Sequence, residues 1–272
     1  LTPAGVAVML ASGVAAGPAF VDITAKAGIR FQHYTGANGK KFMPETFGSG
    51  AVFFDADADG WQDILLVNSS RIPGEPGNVT YSALYRNRGD GTFQDITKGS
   101  GLDVEMYGMG ASAADYDNDG RADLFISGYN VGRLFHNDGG GKFSDVTKKT
   151  GIAVPGWSTA SLWFDYDKDG ALDLLVGRYV EWTPATDIRC QMDGKNKSYC
   201  TPDSYPGLPP ILFHNRRNGT FEDVSKPSGV GVNRFNSLGN SYELPRMLNT
   251  LGLSMLDFDG DGWMDVFVAN DT

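Results

Sequence analysis

The chain is poor in the residues that most often carry chemistry. Among 272 residues there are two cysteines and three histidines, with no CxxC pair and no CxxCH, so haem attachment is excluded and a cysteine-based metal site is disfavoured. No Ser/His/Asp constellation or phosphate-binding glycine loop is present, and no acidic or basic run points to nucleic acid or to an anionic surface. No catalytic residue is assigned, and the chain is not expected to be an enzyme. The two cysteines, Cys190 and Cys200, fall in one segment, 178–210. With no histidine nearby, a disulfide formed in an oxidising compartment is the expected pairing.

Aspartate, by contrast, is concentrated in four places. The stretch DADADGWQD spans Asp55 to Asp63, and its pattern returns as DYDNDGRAD (Asp115–Asp123), DYDKDGALD (Asp165–Asp173) and DFDGDGWMD (Asp257–Asp265). Positions 1, 3, 5 and 9 are Asp and position 6 is Gly in every copy. Carboxylates this close repel one another, and leaving them unpaired beside apolar runs is costly. Alternation aims Asp55, Asp57 and Asp59 at one point, and the glycine permits the turn that returns Asp63 to it; the same holds for Asp115, Asp117, Asp119 and Asp123, for Asp165, Asp167, Asp169 and Asp173, and for Asp257, Asp259, Asp261 and Asp265. A hard cation fits, and Ca²⁺ tolerates the irregular shell better than Mg²⁺. About four ions are expected, one per loop. Sixteen of the 33 acidic residues lie in these loops, so four Ca²⁺ would take the net charge from −10 to −2.

An EF-hand is ruled out by its own requirements. It needs Glu at position 12 and flanking helices, whereas position 12 here is Leu66, Ile126, Val176 or Val268. The flanks AVFF, SLWF and LSML, and DILLV, DLFIS, DLLVG and DVFVA, have strand length and composition. Each loop is therefore expected at the tip of a β-hairpin. A second element, ALYRNRGDGTFQDIT (Ala83–Thr97), RLFHNDGGGKFSDVT (Arg133–Thr147) and ILFHNRRNGTFEDVS (Ile211–Ser225), reads as strand, glycine turn, strand. One unit thus has four strands, A to D, and recurs after 50 residues from Phe93 to Phe143 and from Asp115 to Asp165. Four-stranded units at this period predict an all-β fold, a β-propeller.

The DxDxDGxxD loops, the L-[YF]-x-N…G-x-F-x-D-[IV]-[ST] hairpins and the terminal FVANDT resemble the FG-GAP/VCBS calcium propellers, and within them the bacterial proteins related to cartilage acidic protein, of ASPIC/UnbV type. The resemblance runs from about Phe20 to Thr272. It implies integrin-α-like blades with calcium in the A–B hairpin, and a position-7 carbonyl (Trp61, Arg121, Ala171, Trp263) completing each shell. It also implies a binding protein rather than an enzyme, and a larger propeller of which this chain covers part.

Residues 1–19 are apolar and read either as a signal-type segment or as a retained anchor; both imply export. Residues 20–272 read as one propeller domain carrying the disulfide-bearing insertion at 178–210. FVDIT (Phe20–Thr24) looks like a D strand without its A, B and C strands, placed to close a ring. A–B and C–D turns should share one face, and the long connections 25–50, 69–82, 178–210 and 226–252 the other. Long loops on a rigid scaffold usually carry binding. Candidate contact residues there are His33, Glu45, Arg71, Trp182, Arg189, Tyr199, Tyr205, Arg234 and Arg246. Arg88-Gly89-Asp90 sits where the other copies have a plain turn, and His136 and His214 take the place of Arg86, which favours structural roles for all of them. The leading expectation is an extracytoplasmic, periplasmic, secreted or cell-surface calcium-binding module for a protein or glycan. An accessory or scaffold subunit of a membrane-associated complex and, behind it, a calcium-dependent polysaccharide lyase or hydrolase are the alternatives.

Overall fold

The computed structural model describes residues 20–230 and 249–271. The apolar segment 1–19, Arg234 and Arg246 lie outside the described residues. The first blade comprises β1 (Ala51–Phe54), β2 (Asp63–Leu66), β3 (Ala83–Asn87) and β4 (Phe93–Asp95). The second comprises β5 (Gly108–Ala114), β6 (Asp123–Gly128), β7 (Val131–Gly139) and β8 (Lys142–Asp145), and the third β9 (Ser158–Phe164), β10 (Asp173–Arg178), β11 (Ile211–Asn215) and β12 (Phe221–Asp223). A fourth unit has two described strands, β13 (Thr250–Leu256) and β14 (Asp265–Asn270). All neighbours within a blade are antiparallel, and the sheets form an arc that the described residues do not close. Among the described residues no helix is long and apolar enough to cross a membrane.

The A–B hairpins share one register. Phe54 pairs with Asp63, Ala114 with Asp123, Phe164 with Asp173 and Leu256 with Asp265, so the ninth loop residue always opens strand B. The central strands are buried on both faces, which is why they read as unbroken apolar runs rather than alternating ones. On β6, Leu124 and Ile126 point back to Phe54, Leu65 and Leu84 of the first blade, whereas Phe125 points forward to Trp163, Leu174 and Phe213 of the third. Each such Leu or Phe contributes about 1.5–3 kcal/mol by leaving water.

Inner strands must be slim where blades converge. A Cβ on Gly110 of β5 would lie 2.3 Å from the Thr159 carbonyl of β9, and Ser112 and Ser161 meet across the same seam at 2.7 Å. The glycines and alanines of β5 thus answer to packing, not to flexibility.

FVDIT departs from expectation. Residues Phe20–Ile23 form no strand among the described residues, and Phe20 and Val21 are exposed. A strand needs a partner ladder, and none of the described strands pairs with this segment. The adjoining turn docks nonetheless: the Phe93 N–H donates to the Ala27 carbonyl at 2.8 Å, just as the Phe143 N–H donates to Ser100 at 2.7 Å. This turn therefore sits on the first blade as the turn after β4 sits on the second.

Three of the long connections, 25–50, 69–82 and 178–210, gather on the face opposite the acidic loops; most of 226–252 lies outside the described residues. Lys41 donates to the Lys197 carbonyl at 2.8 Å, and Lys197 returns a bond to the Lys40 carbonyl at 2.6 Å, joining 25–50 to the insertion 178–210. Beneath them lies an aromatic cluster centred on Trp157, whose ring is 4.9 Å from both Phe47 and Tyr179 and 6.3 Å from Trp182. Trp157→Ala should cost about 3–5 kcal/mol in a denaturant titration. Trp157→Phe should cost much less, because the buried indole N–H has no hydrogen-bond partner to lose.

Candidate metal centres

Each acidic loop is built by its own backbone. The position-1 carboxylate accepts two N–H bonds: Asp55 from Asp59 and Gly60 at 3.1 and 2.8 Å, Asp115 from Asp119 and Gly120 at 3.0 and 2.8 Å, and Asp165 from Asp169 and Gly170 at 3.1 and 2.9 Å. Asp257 accepts from Gly260 and Gly262 instead. The position-5 carboxylate takes the N–H of residue 7, so Asp59, Asp119, Asp169 and Asp261 anchor Trp61, Arg121, Ala171 and Trp263. Position-6 glycines have φ near +85°, at 89, 88, 88 and 83° in the four loops with the last at Gly262. A second left-handed residue escaped the sequence: position 4 has φ of 61° at Ala58, 58° at Asn118 and 60° at Lys168. Only Asn among these tolerates that region well, so the loop's side-chain bonds hold the other two there.

Position 9 is the anchor. Asp63, Asp123 and Asp173 are fully buried. One oxygen of each accepts the N–H of loop residue 2 (Ala56, Tyr116, Tyr166), and the other accepts the N–H of a strand-C asparagine (Asn87, Asn137, Asn215) at 2.7–2.8 Å. The asparagine side chains extend the tie. Asn137 donates to the Ala122 carbonyl in its own blade and to the Ala56 carbonyl in the preceding blade, and Asn215 does the same with Leu172 and Tyr116. Among the described residues the Asn87 side chain donates within its own blade, to the Gln62 carbonyl. These asparagines belong to the repeated strand-C motif, but nothing in the sequence pattern assigns them this task.

The electrostatics call for a cation. Burial is the main cause raising the Asp57, Asp63, Asp117 and Asp173 carboxyls, and it pushes Asp123 up to about 6. Neighbouring loop carboxylates add to the effect at Asp57 and Asp117, against opposing pulls from Arg86 and His136. The Asp57 side chain is 6% exposed, and its Oδ1 is buried without a partner. Carboxylate oxygens of Asp55, Asp57 and Asp63, of Asp115, Asp117 and Asp119, and of Asp165, Asp167 and Asp169 each gather within 4.8 Å. An all-oxygen donor set with an unsatisfied buried oxygen fits a hard cation.

The long-loop face differs from expectation in part. Glu45, Trp182 and Tyr205 are buried, so they support the loops instead of contacting a partner. Tyr199 donates to Glu45 at 3.1 Å, and Trp182 Nε1 donates to Asp187 at 2.9 Å. Their aromatic surface is used to hold the insertion onto Phe42, and that demand outweighs exposure. His33 is half-buried against Ser49. Arg71 and Arg189 remain exposed, Arg71 paired with Glu105 at 2.8 Å. Arg71, Glu75, Glu105 and Tyr107 line an open cleft of about 660 Å³. Cys190 and Cys200 form the expected disulfide.

Asn137→Ala and Asn215→Ala should each destabilise by about 2–4 kcal/mol, more than Asn87→Ala, because only they unpair carbonyls in two blades; urea titration of the three variants ranks them. The pH response has a definite sign. Because folding raises Asp123 from 3.8 to about 6, and Asp63 in the same direction, the folded chain holds an extra proton at Asp123 between about pH 4 and pH 6, and stability in chelator should fall as pH rises through that window. Thermal melts at pH 5 and pH 7 in EDTA check it, and Asp123→Asn should shrink the difference.

Residues 55–126 and 115–176 each match the family model described as an FG-GAP-like repeat. Cartilage acidic protein 1 of Xenopus tropicalis is 42% identical over 48 residues, which is 17% of this chain and 7% of that protein. The human protein of the same name is 28% identical over 110 residues, 40% of this chain and 13% of its own length. The matched stretches therefore span a small part of either relative. A solved Agrocybe aegerita lectin, studied for recognition of non-reducing terminal N-acetylglucosamine, aligns over 79% of this chain and 45% of its own with 17% identity and a TM-score of 0.38; likeness at that level carries no weight for fold or ligand. The two repeat matches cover the acidic hairpins of the first three blades.

Proposed function

We propose that this protein is an extracytoplasmic, calcium-stapled propeller module that binds a protein or glycan through its long-loop face. The observation that carries the reading is the difference between the two faces. On one, the A–B hairpins are near copies of each other, with carboxylates gathered for a cation. On the other, unlike loops are knit by side-chain bonds across 154 to 157 residues of sequence and flank the Arg71–Glu105 cleft.

Calcium would be held by the Asp residues at positions 1, 3, 5 and 9 of the four loops, with the carbonyls of Trp61, Arg121, Ala171 and Trp263 completing the shells. Bound there, it supplies positive charge to carboxylates that burial otherwise penalises. The chain's own groups do the rest. Asp63, Asp123 and Asp173 tie each hairpin to strand C, and the blades keep the opposite loops in place. The disulfide favours an oxidising, extracytoplasmic compartment, where millimolar calcium fills sites of modest affinity. Residues 20–272 act as one propeller unit in this reading, with 178–210 as its disulfide-bearing insertion.

A glycan array and a panel of purified secreted proteins, probed with the chain in calcium and in EDTA, test the proposal. Binding should appear in calcium, weaken at least about tenfold in EDTA, and be lost in the double variant Arg71→Ala/Glu105→Ala with its melting temperature retained. Binding that survives both changes would place the ligand elsewhere and contradict the reading.

A further inference from the structure

Strand C presents a different side chain to the acidic loop in different blades. In the first blade it is Arg86, whose Nε lies 2.6 Å from Asp57 Oδ2 and whose Nη2 lies 3.3 Å from Asp59 Oδ2. A guanidinium cannot be deprotonated in a protein, so it stands at that loop as a fixed cation. In the next two blades the same position is histidine.

The two histidines adopt nearly the same geometry. His136 Nδ1 is 3.4 Å from Asp117 Oδ2 and 3.2 Å from Asp123 Oδ1; His214 Nδ1 is 3.5 Å from Asp167 Oδ2 and 3.1 Å from Asp173 Oδ1. Their donor atoms all fall within 4.8 Å of one another in each blade. Nδ1 of His136 is sealed from solvent and has no hydrogen-bond partner of good geometry among the described residues, whereas Nδ1 of His214 is in hydrogen-bond contact with Asp173 at 3.1 Å. Each ring is set edge-on to the tyrosine at loop position 2, Tyr116 at 6.5 Å and Tyr166 at 5.6 Å between centroids, where the first blade has Ala56. Neighbouring ligand atoms about 2.0–2.2 Å from a shared cation stand roughly 3.0–3.5 Å apart, and the imidazole-to-carboxylate distances fall in that range.

We propose that Asp117, Asp123 and His136, and likewise Asp167, Asp173 and His214, are mixed nitrogen and oxygen sites for a divalent first-row transition cation. An imidazole nitrogen favours such cations over Ca²⁺, which takes oxygen ligands. The first blade, with Arg86 in place of the nitrogen, forms no such site. The proposal rests on the reading that these loops hold cations; in the second and third blades the transition cation would compete with calcium for the shared carboxylates of Asp117, Asp123, Asp167 and Asp173.

Titration of the metal-stripped full chain with Co²⁺, followed by visible absorption and calorimetry, tests it, with Zn²⁺ as competitor. Two tight sites are expected. The double variant His136→Ala/His214→Ala should bind Co²⁺ at least about tenfold more weakly. A second double variant, His136→Arg/His214→Arg, copies the side chain that the first blade accommodates and should abolish the Co²⁺ signal while remaining folded by circular dichroism. Unchanged Co²⁺ affinity in either variant would overturn the proposal and leave the histidines as hydrogen-bond donors to Asp123 and Asp173. A calcium melt of the same variants separates the two readings. Calcium stabilisation with histidine-independent Co²⁺ binding sinks only this proposal, and histidine-dependent Co²⁺ binding without calcium stabilisation sinks only the calcium assignment.

Discussion

The structure hangs on a buried carboxylate that serves two strands at once. Asp63, Asp123 and Asp173 open strand B, accept a backbone N–H from their own loop with one oxygen, and accept a backbone N–H from strand C with the other. Without those bonds, an ionised group with no exposure beside Leu65, Leu124 and Leu174 would be untenable. With them, the loop is clamped to the sheet, and the remaining carboxylates are forced into a cluster that repels itself. The loop thus gives up stability to assemble a cluster that a bound cation would stabilise. Through Asn137 and Asn215 the same clamp reaches the preceding blade, so the acidic loop of one blade is fastened to the strand of the next.

Much of this was legible because the repeat is written in local residues. The spacing of the aspartates located four hairpin tips, and the glycine at position 6 announced its left-handed backbone. The hydroxyl closing each second hairpin also has a plain role, since Thr97, Thr147 and Ser225 accept a strand-C N–H at Leu84, Leu134 and Leu212. The illegible features are non-local or depend on a partner. Ala58 and Lys168 carry no sign of a positive φ, because it is imposed by bonds elsewhere in the loop. The reach of Asn137 to Ala56 spans 81 residues and has no counterpart at Asn87. Phe20–Ile23 has strand composition, yet strand pairing is a property of two segments, and none of the described strands pairs with it. Glu45, Trp182 and Tyr205 were placed on the binding face by their position in long loops, and their burial reflects the need of those loops to pack on something.

The two faces differ in how much variation they allow. Hairpins of one length and one register tolerate little change, since each must present the same carboxylates to the same point. The opposite connections range from the tight turn between β6 and β7 to the disulfide-bearing insertion, and the bonds among Lys40, Lys41 and Lys197 let them share one surface. Variation there leaves the clamps untouched, which is the arrangement a binding scaffold requires.

The most direct test of the cation-stapled blade is differential scanning calorimetry of the metal-stripped chain at pH 7 across a calcium titration. If cations staple the blades, the melting temperature should climb with calcium by more than about 10 °C before saturating, the mass-action signature of ions bound to the folded state alone. A melting temperature that does not move with calcium would contradict it, and the acidic hairpins would then be self-sufficient turns.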